Sequence, residues 1–191
     1  QGAPCRSLIL QLEWLWDYEH DQFNPIFDSV GQKRIVELAA AHDVQITTAC
    51  LHGILAIDNP NKNAGRFNQR IIRFIEGCMQ VGCTNFVWPS ITPRDEIAFI
   101  DKLVKELSIA LPDYEREISI NIELSGALTE FDVFKEVLPE KCLGITFDTG
   151  NRVALGFDVE FEIQTRAKDI REIHLKDKDL KSGVSCRLGD G

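Results

Sequence analysis

Ile120-Asn-Ile-Glu123, Phe147-Asp-Thr-Gly-Asn151 and Ile173-His-Leu-Lys-Asp177 are the three stretches on which the reading of this chain turns. Each is an apolar, largely β-branched run that stops on one side chain able to ligate a metal: Glu123, Asp148 and His174. The intervals between these three are 25 and 26 residues, the length of one strand, one helix and two loops. Parallel strands joined by helical crossovers all point the same way, so their C-terminal ends fall on one rim. The spacing therefore predicts that the three side chains, far apart in sequence, meet in space around a divalent metal.

The same alternation extends toward the N-terminus. Strands are expected at Leu8–Glu13, Val44–Leu51, Cys83–Pro89, Ile118–Leu124, Leu143–Asp148 and Ile170–Leu175. Between them, helical spacing of apolar residues predicts helices over Gln32–Ala41 (with Ser29 as the cap), around Ile71 to Ile75, and from Pro93 to Leu111. A further helix is expected over Val159–Ala167. Thr129-Glu-Phe-Asp132 reads as a capping box opening a short helix. Asp58 to Gly65 is rich in turn formers and reads as a loop, as does the tail from Lys181. No hairpin signal separates the strands, so the pattern is α/β, a parallel sheet covered by helices. No linker or low-complexity block divides the chain, and one domain spanning 1–191 is expected.

Composition narrows the function classes. The formal charge of −9 over 191 residues argues against a general nucleic-acid binder, which needs an excess of Lys and Arg to neutralise phosphates. No run approaches the roughly 18 apolar residues of a membrane span, and the first residues show no secretory leader pattern. The six cysteines (Cys5, Cys50, Cys78, Cys83, Cys142, Cys186) form no Cys-x-x-Cys pair. Several lie in apolar runs, which predicts buried, reduced thiols and a cytoplasmic protein.

The ordered set of strand ends resembles the xylose isomerase-like TIM-barrel superfamily, in its sugar-phosphate isomerase/epimerase branch. The residues that carry the resemblance are the Ile-Leu-Gln-Leu-Glu strand end at Glu13, the Asn24-Pro-Ile turn, Glu123, Asp148-Thr-Gly-Asn151, His174-Leu-Lys-Asp177 and the closing Leu188-Gly-Asp-Gly191. The resemblance implies a barrel of parallel strands and outer helices with one divalent cation at the C-terminal rim. Glu123, Asp148 and His174 match three of the family's four ligands. By this matching the chain begins at the family's second strand and stops after the seventh. About six βα units, an incomplete barrel without the fourth, glutamate ligand, are therefore expected. Closure against another chain would make a homo-oligomer.

Oxygen and imidazole donors suit Mn²⁺, Zn²⁺, Mg²⁺ or Co²⁺ equally well on paper. The resemblance implies carbohydrate chemistry: isomerisation or epimerisation of a small-molecule sugar or sugar phosphate by proton abstraction. The cation stabilises the resulting enediolate, and Glu123 is one of the two acid/base carboxylates. Asn151, Lys176, Asp177, Glu13 and His52 are the expected substrate contacts.

Plainer readings stand beside these. Glu123 could sit in an internal ion pair, Asp148 could cap the turn before Gly150, and His174 could be a satisfied core histidine. A turn role for Asn151 and a surface pair for Lys176 and Asp177 are equally simple. Two other functions share the barrel: a catalytically incomplete remnant or binding module, and a metal-dependent abasic-site endonuclease. The endonuclease uses a His-rich cluster, and this chain has four His in all.

Overall fold

The computed structural model describes residues 7–11, 25–51, 60–90 and 93–191. Six strands form one parallel sheet in sequence order: β1 (Ser7–Gln11), β2 (Gln45–Cys50), β3 (Asn85–Ser90), β4 (Ser119–Leu124), β5 (Leu143–Asp148) and β6 (Ile170–His174). The helices are α1 (Ser29–Ala41), α2 (Pro60–Gln80), α3 (Pro93–Ala110), the one-turn α4 (Tyr114–Glu117), α5 (Thr149–Ala154) and α6 (Val159–Arg166), with 3₁₀ segments at Pro25–Phe27 and Leu128–Glu136. Sequential parallel neighbours linked through helices make the wall of a (β/α) barrel. Among the described residues β1 and β6 are its two edges, so the barrel is incomplete, as the resemblance implied.

Strand alternation sorts the side chains onto two faces. Ile120, Ile122 and Leu124 of β4 and Ile145 and Phe147 of β5 join the main apolar core with Phe74, Leu103 and Phe134 of the surrounding helices. Cys78, Cys83 and Cys142 lie buried in the same cluster. The opposite parity carries Asn121, Glu123, Thr146, Asp148, Glu172 and His174. One irregularity decides this last placement. Ile145 pairs with Ile170 but Thr146 pairs with Glu172, so the register skips Arg171 and sets His174 opposite Asp148. Without that bulge Ile173 would stand beside Asp148, because a one-residue slip exchanges the two faces of a strand.

Several local expectations are corrected. The cap of α1 is Asp28, not Ser29: Asp28 is extended (φ −130°, ψ 152°) and its carboxylate accepts from the Gly31 N–H at 2.8 Å. A Cβ on Gly31 would lie 2.2 Å from the Pro25 carbonyl oxygen, so glycine lets α1 close onto the preceding turn. The stretch expected as a loop to Gly65 is helical from Pro60, because proline at a first helical position forfeits only an N–H that has no partner there. Residues 58 and 59 lie outside the described residues, as does β1's expected extension to Glu13.

Thr129–Asp132 forms no capping box. The segment is 3₁₀, its N-cap Ala127 has no side chain to donate or accept, and Asp132 turns to cations instead. The tail is not all loop: β7 (Asp177–Lys178) and β8 (Ser185–Cys186) pair antiparallel, with Gly183 at φ 70° between them. No described helix is long and apolar enough to cross a membrane.

Arg166 at the end of α6 grips both oxygens of Asp132, at 3.0 and 2.9 Å, and Lys135 adds a contact at 3.0 Å. The guanidinium, then the ammonium, hold the Asp132 carboxyl well below the usual carboxylate range. A depressed folded value means that the stabilisation is complete above the unfolded value, about 3.9, and is lost as the pH falls below it. Asp132 is half exposed, so solvent screens the pair and the whole effect is about 1 kcal/mol or less. Asp132→Asn is therefore expected to lower the urea midpoint at neutral pH, with the gap to wild type closing below about pH 4. A gap that does not change with pH would contradict this.

Candidate metal centre

β4, β5 and β6 are consecutive parallel neighbours, and each presents its last inward side chain at the C-terminal rim. These are Glu123, Asp148 and His174. One ligand atom from each lies within 4.8 Å of the others. His174 Nδ1 is 3.9 Å from Glu123 Oε2 and 3.9 Å from Asp148 Oδ2. Three donors facing a common gap at these distances have the spacing of ligands around an ion rather than of hydrogen-bonded partners.

The far side of the imidazole fixes its orientation. His174 Nε2 lies 3.3 Å from Glu172 Oε1. With Nε2–H donated to that carboxylate, Nδ1 is left with its lone pair toward Glu123 and Asp148, the arrangement that metal-ligating histidines adopt. Sequence reasoning missed Glu172. Its signal was period-2 spacing: two residues before His174, it faces the same way.

Each residue of Asp148-Thr-Gly-Asn151 has a separate task. Asp148 Oδ1 accepts from the Asn151 N–H at 2.9 Å and so caps α5. Thr149 Oγ1 lies 3.3 Å from the His174 carbonyl and 3.0 Å from that of Lys176, and accepts from the Lys176 N–H at 3.1 Å. Gly150 makes room for that approach, since a Cβ there would lie 2.8 Å from the Lys176 Cβ. Asn151 Nδ2 donates to Glu123 Oε1 at 3.0 Å, so its amide holds the carboxylate of the neighbouring strand. The turn and ligand readings of Asp148 coexist: one oxygen caps the helix while the other faces the gap.

Asp148 is 1 % exposed. Its Oδ2 receives no hydrogen bond of sound geometry, although Lys176 Nζ lies 2.5 Å away in ionic contact. The Lys176 ammonium therefore offsets the buried charge of Asp148, and a cation in the gap would share this oxygen with it. Burial pushes the Glu123 carboxyl up, with the Asp148 charge adding to it and His174 opposing. The hydrogen bond to Glu172 raises His174 against the effect of burial. For Lys176 burial acts downward, yet the close contact and charge of Asp148, with Glu123 behind it, carry the net shift upward. Two carboxylates and an imidazole that converge from a polar face fit a divalent cation of the Mn²⁺, Zn²⁺, Mg²⁺ or Co²⁺ kind.

The remaining expected contacts are distributed differently. Asp177 turns to the tail: its Oδ2 accepts from Gly189 N–H at 2.8 Å and Gly191 N–H at 3.3 Å, and its Oδ1 from Lys178 N–H at 3.0 Å. It fastens Leu188-Gly-Asp-Gly191 beside the rim. Glu13 and His52 lie outside the described residues.

A family model described as a xylose isomerase-like TIM barrel matches residues 12–191. No curated protein matches the chain. Among solved structures, a xylose isomerase domain protein from Planctomyces limnophilus superposes with a TM-score of 0.69 at 14% identity, covering 97% of this chain and 73% of that one. A D-tagatose 3-epimerase-like protein gives 0.66 at 17% identity, covering 97% and 72%. The IolI protein, solved with a bound zinc atom, gives 0.64 at 17% identity, covering 97% and 70%. At these identities the solved structures speak for the fold. With the family model spanning nearly the whole sequence, the chain belongs to the xylose isomerase-like TIM-barrel family.

Proposed function

We propose that Glu123, Asp148 and His174 hold one divalent metal ion, and that the site isomerises or epimerises a sugar or sugar phosphate. The observation that carries the reading is the convergence of these three donors at one rim, within 4.8 Å of one another. Support comes from a relative solved with zinc and from neighbours named as epimerases, including a 3-keto-D-glucoside 4-epimerase from E. coli.

A divalent cation bound there would supply Lewis-acid polarisation of a carbonyl and its neighbouring hydroxyl oxygen. The chain's own residues supply one carboxylate of the acid/base pair and the groups that position it. Glu123 is the carboxylate placed to take the proton from the carbon beside the carbonyl. Asn151 holds Glu123 Oε1, which fixes the direction in which the other oxygen points. Lys176 is half exposed at the mouth of the site, placed to meet an anionic group of the substrate. Glu172 keeps the His174 ring in place, and Asp177 keeps the tail folded beside the rim.

The test is a panel of ketoses and ketose phosphates incubated with Mn²⁺-loaded protein in D₂O. The expected result is deuterium incorporation beside the carbonyl, with product formation, both abolished by chelator. Substrate binding with neither exchange nor turnover would favour the binding-module reading instead. A Glu123→Gln variant that still exchanged deuterium at the wild-type rate would remove Glu123 from the proton transfer.

A further inference from the structure

We infer that Arg152 is a positioning residue for the metal centre, a conclusion that rests on the metal reading above. It is 2 % exposed, the bulkiest fully buried side chain among the described residues. Its Nε donates to Glu162 Oε2 at 2.8 Å and its Nη2 to Glu162 Oε1. Its Nη1 donates to two backbone carbonyls, Leu124 at 3.2 Å and Gly126 at 2.6 Å. The guanidinium carbon stacks 3.9 Å from the Phe157 ring centroid.

Those two carbonyls belong to the residues one and three positions after Glu123. The β4–β5 ladder ends at the Ile122–Ile145 pair, before either strand reaches its ligand. Beyond that pair α5 supplies the links between the two strands. Asn151 holds the Glu123 side chain, and Arg152, the next residue, holds the backbone that follows it. The same helical turn is capped by Asp148. One short helix thus links the two ligand strands where their direct ladder has ended, while β3 and β6 still pair with their outer sides.

Stability alone does not account for this arrangement. A buried ion pair is often matched or improved on by apolar residues of similar volume. What an apolar pair cannot do is donate to the Leu124 and Gly126 carbonyls. Because Glu162 neutralises the guanidinium, the directional contribution left to Arg152 is that pair of bonds.

The test compares wild type, Arg152→Met/Glu162→Leu and Arg152→Lys. The double variant removes both charges together, and the lysine keeps a cation for Glu162 without the guanidinium fork. Mn²⁺ affinity is measured by calorimetry, ligand geometry by the visible spectrum of the Co²⁺ form, and folding by the thermal melt of metal-free protein. Both variants are expected to bind Mn²⁺ about 10- to 100-fold more weakly and to show an altered Co²⁺ spectrum, whatever their melting temperature. Wild-type affinity with an unchanged spectrum in either variant would overturn the role of Arg152 alone. Wild-type protein that binds no metal, or binds it regardless of Asp148→Asn, overturns the metal reading and this inference together.

Discussion

Asp148→Asn is expected to weaken Mn²⁺ binding by more than about 100-fold, beyond the loss usual for residues that only support a ligand, with little change in folding. The two effects separate because the two oxygens of Asp148 do different work. Oδ1 caps α5 by accepting the Asn151 N–H, and asparagine caps a helix about as well as aspartate. Oδ2 faces His174 Nδ1 across the gap and touches Lys176. Removing the charge there takes away one of two anionic ligands. It also relieves a buried carboxylate of its desolvation cost, which offsets the lost contact with Lys176. Calorimetric titration and a thermal melt on the same preparation read both effects. Binding within a few-fold of wild type would remove Asp148 from the ligand set, and a collapsed melt would assign it a mainly structural role.

Glu162→Leu is the substitution with the largest expected loss of stability, about 3–5 kcal/mol. Arg152 would stay buried with its guanidinium charge uncompensated, since its other partners are neutral carbonyls and the face of Phe157. Arg152→Met/Glu162→Leu should recover much of that loss, because no unpaired charge remains. The check is the urea midpoint of the single and double variants. A single variant within about 1 kcal/mol of wild type, the level of an exposed pair, would mean that water reaches the guanidinium. The exposed i,i+4 pairs such as Lys33–Glu37 and Lys105–Asp101 contribute little by the same standard.

Much of the fold was legible because a βα repeat leaves two separable marks, period 2 on strands and period 3.6 on helices. The even spacing of Glu123, Asp148 and His174 was informative for the same reason: equal repeats in a parallel sheet bring equivalent strand ends to one rim. The β5–β6 bulge was not legible. Ile-Arg-Glu-Ile-His reads as a regular strand either way, and only the skip at Arg171 puts His174 opposite Asp148. Residues that act through others were also hidden. Glu172 and Arg152 were not singled out in the sequence, because neither stands at the end of an apolar run. Its partners, the carbonyls of Leu124 and Gly126, have no side-chain signature at all. Asp28 and Ser29 are both good caps, and the choice between them lay in the close approach of Gly31 to Pro25, a contact outside any local pattern. The cap of the Leu128–Glu136 segment failed as an expectation because Asp132 has stronger partners, Arg166 and Lys135, than a helix N-terminus offers.

Anomalous diffraction from crystals of the protein grown with Mn²⁺ tests the central claim most directly. The account predicts one strong peak at the C-terminal rim of the sheet, in contact with the carboxylates of Glu123 and Asp148 and with Nδ1 of His174. A peak elsewhere, for instance among Asp177, Asp179 and Asp190 of the tail, or no peak at the rim with saturating Mn²⁺, would contradict it.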